Sequence, residues 1–114
     1  MAVTGAHMLL YTSEPDALRE VLRDVFGWSN VDAGGGWLIF ALPPAEIAVH
    51  PGDTPSHQIS LMCDDIEATM ADLQTKGITF TGEPMDARFG IAVTMLLPGN
   101  VEVMLYEPKH PTAI

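Results

Sequence analysis

The chain has 114 residues, 47% of them hydrophobic, which suits one folded domain over residues 1–114 and argues against both a second domain and intrinsic disorder. Its 15 acidic against 5 basic residues give a net charge of −10, which repels phosphate backbones and anionic lipids and so argues against nucleic-acid or membrane binding. That charge serves either solubility or a cleft for a cationic ligand. No apolar run approaches the roughly 20 residues that span a bilayer. The start "MAVTGAHMLLYTSEP" lacks the pattern of a signal peptide, and the single Cys63 excludes an internal disulfide, so a cytoplasmic protein is expected.

In chain order, "HMLLYT" (7–12) reads as a short strand. Ser13 offers an N-cap oxygen, with Pro15 early in the turn and Asp16 three residues on. Leu18, Val21, Leu22, Val25 and Phe26 then form one helical stripe, which Gly27 stops. "SNVDA" and "WLIFAL" flank "GGG" (34–36) as a hairpin, and "AEIAVH" (45–50) follows as a further strand. "PGDTPS" (51–56) is a linker of turn-forming residues.

The order then repeats. "HQISLMC" is a strand, and Asp64 with Glu67 reads as a capping box. Ile66, Thr69, Met70 and Leu73 form the second helix stripe, ended by Gly77. "ITFTG", "IAVTMLL" and "VEVMLYE" complete the set, with "PGN" (98–100) as a tight hairpin turn. The expected fold is α+β: two βαβββ modules, 1–52 and 53–114.

The repeat, "H-x19-G" at the start of module one, "LMCDDIEATMADLQTKGI" in module two and "LPGNVEVMLYEPKHPTA" at the end together resemble the vicinal oxygen chelate superfamily. That group holds glyoxalase I, extradiol dioxygenases and the fosfomycin- and bleomycin-resistance proteins. The resemblance covers nearly the whole chain. It implies that the mixed sheet of each module curls as a half-barrel with a helix packed outside, and that the concave face holds the site, with metal ligands from the first and fourth strand of each module.

Strand alternation decides which residues face that concavity. With Ile47 and Val49 toward the helices, His50 points inward; with Val101, Val103 and Leu105 toward them, Glu102, Met104 and Tyr106 do. Ile59, Leu61 and Cys63 form an apolar face, so Gln58, Ser60 and Met62 look into the cavity and His57 has no role. On the first strand His7, Leu9 and Tyr11 are the more polar set.

The resemblance thus implies a divalent metal (iron, manganese, nickel, cobalt or zinc) held by His7, His50, Gln58 and Glu102, with Glu102 also the catalytic carboxylate. Tyr11, Tyr106 and Arg88 in the "ARFG" loop would contact a small-molecule substrate with vicinal oxygens. His7 falls on a glyoxalase ligand position, and Gln58 on its counterpart in module two, where histidine is usual. The other two positions match Ala48 and Met104, so His50 and Glu102 each stand two residues away, a shift of roughly 6–7 Å along a strand.

Three functions from different classes follow. One is a metal-dependent enzyme of glyoxalase or dioxygenase type. Another is a metal-free protein that sequesters a cationic drug, as the bleomycin-resistance group does. A regulatory module with a vestigial pocket is a third. The resemblance also implies a homodimer, with the "PKHPTA" tail (108–113) on the neighbouring chain.

Overall fold

Alternation in "VEVMLYE" sets the centre of the fold, because Val103 and Leu105 are buried while Glu102 and Met104, which alternate with them, are exposed and half-buried respectively. A computed structural model describes residues 6–114; the first five residues, part of the stretch read as lacking a leader, lie outside it. The elements are helix α1 (Pro15–Glu20), strands β1 (Asn30–Asp32), β2 (Leu38–Phe40) and β3 (Ser60–Met62), helix α2 (Ile66–Thr75), and strands β4 (Thr79–Asp86), β5 (Gly90–Leu97) and β6 (Val101–Pro108). Helix α1 runs on into a π-helical turn, Val21–Val25. The fold class is α+β, as expected. Among the described residues no helix is long and apolar enough to cross a membrane.

Strands β3, β6, β5 and β4 form one sheet in that order, with β3 parallel to β6 and the other pairs antiparallel. One face of this sheet carries the core. Met95, Leu97, Val93, Val103 and Leu105 cluster there with Leu18 of α1 and Ile66 and Leu73 of α2. Val21, Leu22, Val25, Phe26 and Met70 pack around them, so both predicted helix stripes are the buried ones. Ile59, Leu61 and Cys63 pack on the same cluster, which fixes the phase of β3 as predicted.

The caps differ in detail from the sequence reading. Glu14, not Ser13, is the N-cap of α1, and no side chain bonds to its end; the Thr12 hydroxyl instead accepts from Glu14 N at 3.1 Å. Asp65, not Asp64, caps α2, accepting from Ala68 N at 3.1 Å. A second carboxylate shares that end: Glu107 of β6 accepts from Ile66 N at 2.9 Å, tying the central strand to the helix.

Module one is less regular than its pattern. β1 and β2 pair as the expected hairpin. The segments 7–12 and 45–50, however, join no ladder, and Ile47 and Val49 are 94% and 96% exposed. Their apolar alternation is that of a strand, but a strand needs a hydrogen-bonded neighbour, and among the described residues these segments have none.

The N-terminal segment is held instead by its end. Thr12 Oγ1 donates to Pro98 O at 2.8 Å, and Gly99 N donates to Glu14 Oε2 at 2.8 Å. Gly99 sits at φ 82 with the Thr12 side chain where a Cβ would be, so this contact requires glycine.

The tail also departs from expectation, since it packs on its own chain. Lys109 N donates to Phe89 O at 2.9 Å, His110 lies against Tyr106 with ring centroids 5.7 Å apart, and Ala113 N donates to Glu46 Oε1 at 2.7 Å.

Candidate functional site

The sheet face opposite the helices is open. Cross-strand register arranges it in rows. Met62, Tyr106, Ala92 and Met85 form one row across β3, β6, β5 and β4. Ser60, Met104, Thr94 and Thr81 form the next. Beyond them lie Glu102, Leu96 and Thr79, with Gln58 at the start of the β3 side. Register between β4 and β5 shifts between Thr81 and Met85, and the even offset keeps both on the open face.

Gln58, Glu102 and Tyr106 therefore share one surface, as alternation predicted. Gln58 Nε2 reaches across to Met104 Sδ at 2.6 Å, which orients the amide and leaves its oxygen free. Glu102 is exposed, and among the described residues no hydrogen bond or ion pair engages it. Tyr106 donates its hydroxyl to Phe89 O at 3.0 Å, and its ring lies 6.0 Å from that of Phe89. Burial, and then the nearby Glu46 carboxylate, push the Tyr106 phenol above its ordinary range. Arg88 stands exposed in the β4–β5 turn next to Phe89.

His7 and His50 lie elsewhere, whereas His110 of the tail lies against Tyr106 at one end of the face. His7 lines an apolar cavity of about 350 Å³ with Leu18, Leu22, Trp28, Trp37 and Leu61, on the helix-covered side of the sheet. His50 is exposed, its Nδ1 2.7 Å from Pro51 O, because Ile47 and Val49 do not pack on a helix and so do not aim it. Tyr11 is exposed on the unpaired N-terminal segment.

Among the described residues no three His, Cys, Asp or Glu side chains stand close enough to share an ion. One chain by itself thus brings Gln58 and Glu102 to the same face but leaves His7 and His50 apart from them. In this arrangement the four residues do not fit a metal.

Sequence reasoning missed Phe89, Thr94 and Met85. β5 is apolar on both faces, so its phase is ambiguous in the sequence; Thr94, its one polar side chain, was the available signal. Phe89 sits in a turn, where no periodicity applies.

No protein-family model and no curated protein sequence matches the chain. Solved structures do. TnmS3, an antibiotic binding protein from Streptomyces sp. CB03234, superposes with a TM-score of 0.67 at 21% identity, covering 96% of this chain and 99% of that one. Lactoylglutathione lyase from Agrobacterium tumefaciens gives 0.66 at 16% identity over 93% and 94%. A glyoxalase/bleomycin resistance protein/dioxygenase superfamily member from Sphaerobacter thermophilus gives 0.62 at 21% identity over 92% and 98%. The chain has the fold of that superfamily.

Proposed function

We propose that this chain is a small-molecule binding protein, and that an organic ligand lies on the open face of β3–β6–β5–β4. The observation that carries this is the composition of that face: hydroxyls of Ser60, Thr81 and Thr94, the amide of Gln58 and the carboxylate of Glu102 stand among Met62, Met104 and Tyr106. A few fixed polar groups on an apolar, aromatic ground are what orient and hold an organic molecule. The fold shared with an antibiotic binding protein supports the same reading. Net charge −10 favours a neutral or cationic ligand. The binding form is a homodimer, which gives the unpaired segments 7–12 and 45–50 a neighbour.

Calorimetry with bleomycin and a panel of aromatic antibiotics tests this. Thr94 stands at the centre of the face, so Thr94→Trp should abolish binding that the wild type shows. Binding to no member of the panel, or binding unchanged by Thr94→Trp, overturns the reading.

A second reading is a metal-dependent enzyme of glyoxalase or dioxygenase type acting on vicinal oxygens. The presence of Gln58 and Glu102 on one face favours it, as does the fold shared with lactoylglutathione lyase. It requires a second copy to bring His7 and His50 to that face. Elemental analysis of tag-free protein should then find about one iron, manganese, nickel, cobalt or zinc per chain, lost in Glu102→Gln; metal-free protein that takes up none refutes it.

A further inference from the structure

The open face is not uniform, and its grading specifies a ligand. Resting on the binding face proposed above, we infer that the molecule it holds is elongated, with a flat aromatic ring system over Tyr106 and Phe89 and a cationic or hydrogen-bond-donating group at Glu102.

At the Tyr106 end the available surface is ring and thioether. The Tyr106 hydroxyl is engaged by Phe89 O, so the tyrosine offers its ring and not its oxygen. That ring lies against bare backbone, because a Cβ on Gly90 would stand 2.5 Å from Tyr106 Cε2. Phe89 is 53% exposed and tilted 46° to Tyr106, while Met85 is 70% exposed and Met62 flanks Tyr106 from β3. Glu46, the carboxylate near this end, already accepts from Ala113 N. Tyr106 is half-buried, with His110 of the tail against part of its ring, so the exposed surface at this end is its remaining edge with Phe89, Met85 and Met62, which suits a flat aromatic partner.

At the other end two acceptors stand free. Glu102 has its carboxylate in solvent, and Gln58, whose amide nitrogen is turned to Met104 Sδ, presents its oxygen. An ammonium or a strong donor fits there and a second carboxylate does not. Four residues of β6 separate Glu102 from Tyr106, which is about 13–14 Å along the strand. Ser60, Thr94 and Thr81 line the span between with hydroxyls.

Dansylcadaverine, a fused aromatic ring joined by a flexible chain to a primary ammonium, serves as the probe, followed by its fluorescence on the full chain. Its N-acetylated form removes only the charge. Phe89→Ala and Tyr106→Ala should weaken both forms, each by up to about tenfold. Tyr106→Phe, which keeps the ring and loses the hydroxyl, should bind within about twofold of wild type. Glu102→Gln should weaken the ammonium form alone, by about fivefold at low salt, and remove the salt dependence of its binding. Wild type that binds neither form overturns the inference, as does Glu102→Gln acting equally on both. Thr94→Trp separates the two levels. If it abolishes binding while the Phe89 and Glu102 variants change nothing, the ligand's orientation is wrong and the binding face stands. If probe binding survives Thr94→Trp, the binding face itself is wrong. Circular dichroism and melting curves of each variant exclude loss of fold as the cause.

Discussion

Met95 and Met104 are the same residue type on adjacent central strands, but they face opposite sides of the sheet. Met95 is 0% exposed, opposite Val103 in the core, whereas Met104 pairs with Thr94 on the open face. Replacing Met95 with alanine deletes buried thioether and methylene groups and leaves a cavity that a two-helix layer closes only in part. Met-to-Ala changes in cores cost about 2–5 kcal/mol. For 114 residues, about 2.1 cal/mol/K of unfolding entropy per residue gives roughly 0.24 kcal/mol/K. A loss of about 3 kcal/mol therefore lowers Tm by about 12 °C. Met104→Ala removes only half-exposed surface and should shift Tm by less than about 4 °C, from under 1 kcal/mol. Differential scanning calorimetry of the two variants decides the matter. Equal shifts, or a larger one in Met104→Ala, would refute the assignment of the two faces, and with it the placement of Gln58, Ser60, Glu102 and Tyr106.

Light scattering at micromolar concentration should give about twice the 12.3 kDa chain mass, because segments 7–12 and 45–50 lack ladder partners and expose Ile47 and Val49; a mass near 12.3 kDa contradicts the dimer. Glu107→Ala should destabilise by about 1–2 kcal/mol, since it removes an acceptor from the buried end of α2, while Glu107→Gln should restore most of that in urea unfolding. Burial raises the Cys63 thiol above its ordinary 9.0, against the Thr69 hydroxyl, with Glu107, Asp64 and Asp65 adding to the rise. Folded protein should then react with Ellman's reagent more slowly at pH 8.5 than urea-unfolded protein does. Because the raised value favours the protonated thiol in the fold, the stability it contributes is full below pH 9.0 and lost as pH climbs through the folded value; stability rising in that window contradicts the shift.

Much of this arrangement was legible in residue order. The stripes Leu18–Phe26 and Ile66–Leu73 became the buried helix faces, and the parity of 58–63 placed Gln58 and Ser60 on the open side. "PGN" and "GGG" became the turns they predicted, because local backbone chemistry alone decides a hairpin. Position 50 shows where residue order failed. Apolar alternation at Ile47 and Val49 implied a helix-facing strand, but facing is decided by pairing, and among the described residues segment 45–50 pairs with no strand, so alternation does not orient His50. Asp64 and Asp65 show a smaller limit: adjacent aspartates compete for one cap, and the approach of Glu107 from β6, 41 residues away, is a tertiary fact. The π-helical turn at Val21–Val25 has no marker in an otherwise regular 3.6-residue stripe.

The open sheet face, and not the apolar cavity behind it, is the proposed binding surface. Chemical-shift mapping of ¹⁵N-labelled protein titrated with dansylcadaverine tests it in one experiment. Saturable shifts at the amides of Ser60, Met62, Thr94, Glu102 and Tyr106 are predicted. Shifts confined to Leu18, Leu22, Trp28 and Trp37, around the cavity on the helix side, would contradict it.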